Sequence, residues 1–208
     1  MGLIRDFLAM QTSPVRPFHD DPFLQQFMLE EIQRLGIKSF VETGAFRGDS
    51  LSWIADRFDG PCYSCEINSM YYKVARLRTG LKSNVILRNL DSRIFLEEIA
   101  WDVKTPMLLW LDAHWGKDWP LVDELRFLQK GDRYLALIDD FQIPGRPEFG
   151  FDTYDGQPLN FEFIQAEVSK DCLVGTSDYP APKNARGVCV IYRGLPRPPL
   201  NSPFKFKD

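Results

Sequence analysis

The chain has 208 residues, 44% hydrophobic and 26% charged, with a formal net charge of −4. That is enough for one large domain or two small ones with a sizeable core, and too acidic for nucleic acid to be a favoured partner. No apolar run reaches the length of a bilayer crossing, so no membrane partner is expected. The start, MGLIRDFLAMQTS, has an acid in its middle and lacks the shape of a signal peptide.

The first 19 residues read as a helix and a Pro-containing connector that holds His19, to which no role is assigned. Asp21-Pro22 then starts a helix, with Asp as N-cap and Pro in the first turn. Leu24, Met28, Ile32 and Leu35 share one face of it, and Gly36 stops it. Phe40 and Val41 form a short apolar strand, and Gly44 to Gly48 a turn. Asp49 or Ser50 is expected to cap the next helix, whose positions Leu51, Ile54, Ala55 and Phe58 recur at helical spacing. Residues 61–67 read as a second strand. Asn68 or Ser69 caps a helix with Met70, Val74, Leu77 and Leu81 in register. Residues 84–89 form a third strand, followed by a helix capped by Asp91 or Ser92 with Phe95 and Ile99 inward.

Residues 107–113 are nearly all apolar, as in a strand buried on both faces. Leu121, Leu125 and Leu128 align on the helix after it, and residues 134–141 form a fifth strand. This alternation predicts an α/β domain with a parallel sheet and helices on both faces. A connector rich in Pro, Gly and aromatics covers 142–160. A helix over 160–170 and two strands, 172–176 and 187–192, follow as an expected antiparallel hairpin at one sheet edge. The expected division is 1–36 as N-terminal helices covering the sheet, 37–193 as the core, and 194–208 as a solvated tail.

In open α/β sheets, ligands bind beyond the carboxyl ends of the strands. Glu42, Glu66, Asp91, Ser92 and Asp112 fall there. Glu66 lies about 20 residues past the glycine turn, where an acid can take ribose hydroxyls. The turn carries Phe46 where a dinucleotide fingerprint wants its second Gly, which disfavours a pyrophosphate. Cys62 and Cys65 make a C-x-x-C inside a strand, and Cys172 and Cys189 are isolated, so zinc is not expected. Reduced thiols fit a cytoplasmic enzyme.

The segments VETGAFRGDS, CEIN, NLDS, LWLDAHWG and LALIDDF, in that order, resemble the motifs of class I S-adenosylmethionine-dependent methyltransferases. The resemblance implies a single Rossmann-like domain with a seven-stranded, mostly parallel sheet of order 3-2-1-4-5-7-6. It implies S-adenosylmethionine along Glu42, Thr43, Gly44, Ala45, Phe46, Gly48 and Ser50, with Glu66 and Ile67 at the ribose. Asp91 and Ser92 fall at the adenine, although Leu90 stands where relatives often carry Gly, and Asp112 closes the set.

The acceptor rim resembles that of metal-dependent sugar O-methyltransferases. This implies Mg²⁺ on Asp112, Asp139 and Asp140, with His114 as base beside Asp112. Crowded carboxylates would in any case need a cation or protons. Trp115, Gly116, Lys117, Trp119, Phe149, Phe151 and Tyr154 are expected to wall the acceptor. The reading is O-methylation of a small hydroxylated acceptor such as a sugar, with a homo-oligomer allowed. The alternatives are a nicotinamide-dependent oxidoreductase and a non-catalytic cofactor-binding module.

Overall fold

The computed structural model describes residues 14, 16–80, 82–114 and 118–206. The expected helix before residue 14, Leu81, and Trp115 to Lys117 lie outside the described residues. Strands β1 (Ser39–Thr43), β2 (Cys62–Cys65), β3 (Val85–Arg88), β4 (Met107–Leu111) and β5 (Tyr134–Ile138) pair in parallel. Strand β9 (Cys189–Arg193) runs antiparallel to β5 and to β8 (Leu173–Ser177). A two-stranded ribbon, β6 (Thr153–Tyr154) and β7 (Gln157–Pro158), lies in the long connector.

The sheet has eight strands, not the seven expected. Its order is β3-β2-β1-β4-β5-β9-β8-β10, with β10 (Phe204–Phe206) antiparallel to β8. The segment read as a solvated tail supplies that edge. Phe204 is buried against Phe27 with ring centroids 4.6 Å apart, while Lys205 points out. The β8–β9 pair is therefore not a terminal hairpin, since β10 covers its outer side.

Alternate residues of the central strands feed two separate cores. Phe40, Leu108, Trp110, Leu135 and Leu137 pack on one face, with Val41, Leu109, Leu111, Ala136 and Ile138 on the other. This is why these strands read as continuous apolar runs. Helix α1 (Pro22–Leu35) and α2 (Asp49–Ala55) cover the first face, and α4 (Ser92–Ile99) and α5 (Leu121–Leu128) the second. Cys62 and Cys65 fall in opposite cores, so they cannot share a metal.

Asp21 accepts from the amides of Phe23 and Leu24, and Gly36 ends α1 in the left-handed conformation, as expected. Asn68 and Asp91 likewise cap α3 (Ser69–Thr79) and α4. Two expectations fail. Neither Asp49 nor Ser50 caps α2: Gly48 stands at its N-cap, because Asp49 is held by Arg47 and Arg78 and Ser50 by the Phe18 amide. Helix α3 buries Val74, Ala75 and Thr79, leaving Leu77 58% exposed. The helix expected over 160–170 is a short α6 (Phe161–Ile164) and one 3₁₀ turn.

Candidate active site

The site begins where β1 turns into α2. Gly44 has φ +82, and a Cβ there would sit 2.5 Å from the carbonyl oxygen of Asp112. Only glycine lets the β1 and β4 ends approach this closely. Phe46 follows with φ +48, an uncommon conformation for a large residue. Its amide donates to Glu66 Oε2 at 2.7 Å, and the Asn68 amide donates to Glu66 Oε1 at 2.7 Å. Glu66 is thus held by backbone donors and keeps spare lone pairs. Burial raises its pKa, and the amides of Asn68, Phe46 and Ile67 oppose that shift.

A cavity of about 470 Å³ opens at these strand ends. Of the sequence-predicted residues, Gly44, Phe46, Glu66, Ile67, Asp91, Ser92, Asp112, His114 and Asp140 line it. Glu42, Ala45 and Ser50 line an adjoining cavity of about 230 Å³, which shares Gly44, Phe46 and Asp112 with the first. Thr43 and Gly48 line neither; Thr43 is buried and Gly48 packs on Ala75. Glu42 is buried and accepts from Ser64 Oγ at 2.6 Å, and burial pushes its carboxyl up to about 8. Asp91 is committed to the α4 amide of Arg93 and to the Arg93 guanidinium, which keeps its pKa low. The missing glycine at Leu90 thus goes with an Asp91 that is already paired.

Just beyond the β4 end, His114 Nε2 lies 3.8 Å from Asp112 Oδ1, 3.6 Å from Asp140 Oδ2 and 3.9 Å from Asp152 Oδ2. Asp140 has φ +55, which turns consecutive acids at the β5 end into the same region. Burial, followed by the charges of Asp139 and Asp140, raises Asp112 well above the usual carboxylate range. Burial and Asp139 raise Asp140, and Arg186 opposes that shift.

The counter-charges are largely supplied by the protein. Arg186 donates from Nε to Asp140 and from Nη2 to Asp152. His19, given no role from the sequence, sets Nε2 2.5 Å from Asp139 Oδ2. Sequence reasoning missed Arg186 because it lies 46 residues beyond its partner in a Pro-rich link.

These contacts also test the expected Mg²⁺ site. Asp112, Asp139 and Asp140 do not form one ligand set. The described residues give two overlapping groups with ligand atoms within 4.8 Å: His19–Asp139–Asp140, and Asp112–His114–Asp140. Each contains an imidazole, and Asp140 is already held by Arg186. A hard cation that prefers all-oxygen ligands fits this arrangement poorly.

The expected acceptor wall is partly structural. Trp119 is stacked between Tyr154 and Phe163, at 4.2 and 4.3 Å. Phe149 is buried against Tyr179. Tyr154 meets the His114 ring edge to face at 5.8 Å, and Phe151 is partly exposed.

No protein-family model matches the chain, and neither does any curated protein sequence. Solved structures do match. An O-methyltransferase from Bacillus cereus, solved with S-adenosylhomocysteine, is 17% identical with a TM-score of 0.63, over 93% of this chain and 91% of that one. An O-methyltransferase of tomaymycin synthesis from Streptomyces achromogenes, solved with S-adenosylmethionine, is 16% identical with a TM-score of 0.63, over 82% and 79%. At this identity the likeness concerns the fold. The chain has the class I S-adenosylmethionine-dependent methyltransferase fold, and its own sheet ends in strand β10.

Proposed function

We propose that this protein transfers a methyl group from S-adenosylmethionine to a hydroxyl of a small acceptor such as a sugar. One observation carries the reading: the cavity bordered by Gly44 and Glu66 is also bordered by Asp112, His114 and Asp140. Cofactor groups and proton-transfer groups thus share one chamber. When bound, S-adenosylmethionine supplies a methyl group made electrophilic by its cationic sulfur.

The protein has two tasks left, orientation and proton removal. Glu66 orients the ribose. His114 stands at the mouth of the chamber, 38% exposed at its side chain, where it takes the acceptor proton at Nε2 as the O–C bond forms. Asp112, Asp140 and Asp152 surround that nitrogen. Phe46 crowds the pyrophosphate of a nicotinamide dinucleotide. Arg186 and His19 take the place of the expected Mg²⁺, and no step is assigned to a metal.

The test is a mass-spectrometric screen of hydroxylated acceptors for a methyl gain with S-adenosylmethionine, run beside His114→Ala. Transfer to oxygen by the wild type, reduced about 10²-fold or more in the variant, supports the reading. Transfer only to nitrogen or carbon contradicts it. Unchanged turnover in the variant removes His114 as the base.

A further inference from the structure

The end of the sheet away from the chamber carries a separate cavity of about 470 Å³. It opens where α4 and α5 finish and β4 begins, and it shares no lining residue with the chamber. Its floor is Val41, Leu96, Ile99, Met107 and Leu109, all buried and all apolar. The partly buried Phe127 ring forms one wall. A hollow of this size and lining favours an apolar occupant, and an aromatic ring fills it best.

Trp101 stands at the mouth of that cavity and is 94% exposed, the most exposed of the described Trp and Phe residues. Its backbone is nevertheless firmly held. The Asp102 and Val103 amides both donate to the Ile99 carbonyl, at 2.9 and 3.1 Å. The Tyr63 hydroxyl donates to the Asp102 carbonyl at 3.2 Å, and the Lys104 amide donates to Ser39 Oγ at 2.9 Å. A rigid turn that presents an indole to water is an anchor made in advance, since little freedom is lost when the ring is covered.

The mouth also carries one charge of each sign. Lys130 Nζ lies 2.5 Å from Glu97 Oε1, and both side chains are 63% exposed. An exposed pair of this kind is worth little to the free chain, so either group can change partner at small cost. Knob and hole, acid and base, therefore lie side by side on one patch. A two-fold contact between identical chains requires this, because each feature must meet its complement on the other copy. A strongly acidic or basic partner would instead be met by a single sign of charge.

We propose that this face docks a second copy of the chain across a two-fold axis. Each Trp101 ring enters the cavity of the other copy, and each Glu97 faces the partner subunit's Lys130. The aromatic anchor supplies most of the affinity, and the crossed charges fix the orientation. The pairing leaves the chamber open, because the two cavities lie at opposite ends of the sheet. It does not rest on the methyltransferase reading.

Sedimentation velocity of the full chain, from micromolar to near-millimolar concentration, tests the contact. The wild type is expected to form a dimer. Trp101→Ala should raise its dissociation constant by about tenfold or more. Glu97→Lys and Lys130→Glu should each weaken it by about threefold or more, and the double exchange should recover most of that loss. All three side chains are exposed, so the circular dichroism of each variant should match the wild type, which separates loss of the dimer from loss of the fold. A wild type that stays monomeric throughout the range overturns the proposal and leaves the cavity to a different partner. A dimer of unchanged affinity in Trp101→Ala, or a double exchange no tighter than the single ones, overturns it as well.

Discussion

His19 Nε2 lies 2.5 Å from Asp139 Oδ2, joining the N-terminal turn to the end of the fifth strand across 120 residues of chain. The contact gives a partner to one of the acids that the sequence left crowded at the rim. It also makes the turn part of the chamber wall.

This pair predicts a pH-dependent share of stability. The His19 pKa is raised from 6.5 to about 9 in the folded chain. The folded state therefore binds the proton more tightly than the unfolded one. The resulting stabilisation is fully present below about pH 6.5 and is lost as pH rises through 9. Thermal melts of the wild type and His19→Gln between pH 6 and 10 should show a gap in Tm that closes across that window. A gap independent of pH would mean that the pair contributes no linked proton.

Glu42 has the opposite sign. Its carboxyl is raised from 4.5 to about 8, chiefly by burial. Above pH 4.5 the unfolded chain ionises this group while the folded chain keeps the proton, so its unfavourable effect grows up to pH 8 and then levels off. Glu42→Gln keeps an oxygen for the Ser64 hydroxyl and has no proton to lose. Its stability relative to wild type should rise between pH 5 and 8, reaching roughly 1–3 kcal/mol, as chemical denaturation would show.

Gly44 is the point where the two central strand ends meet. Ala at this position combines φ +82 with a Cβ 2.5 Å from a backbone oxygen. Gly44→Ala should cost more than about 1 kcal/mol of stability. It should also weaken S-adenosylhomocysteine binding, because the loop must move away from Asp112. Wild-type Tm and affinity would show that the close approach is unnecessary.

Arg186 decides whether the acidic rim needs a metal. It bridges Asp140 and Asp152. Arg186→Met should destabilise by roughly 1–3 kcal/mol, less than a fully buried pair because Asp152 stays partly exposed. Wild-type turnover should survive a chelator. Loss of turnover on chelation, restored by added Mg²⁺, would return the rim to metal chemistry.

Much of this architecture was legible in the sequence. The buried runs at 107–111 and 134–138 announce strands covered on both faces, and the capping residues Asp21, Asn68 and Asp91 stand where helices begin. The strand-end acids Glu66, Asp112 and Asp140 follow from the same pattern and do meet in one cavity. What stayed hidden depends on distance along the chain. The Phe204–Phe206 strand is three residues long, too short for periodicity to register. Arg186 and His19 reach the rim from loops, and no local pattern ties either to Asp140 or Asp139. Charge repulsion in the sequence asked for a cation or protons at the rim, and the resemblance named a metal. The fold supplies a guanidinium and an imidazole.

The central claim is that the cavity takes S-adenosylmethionine rather than a dinucleotide. Calorimetric titration of the wild-type protein with S-adenosylhomocysteine and, separately, with NAD tests it most directly. The account predicts saturable one-site binding of S-adenosylhomocysteine and none of NAD. Binding of NAD, or no binding of S-adenosylhomocysteine, would contradict it.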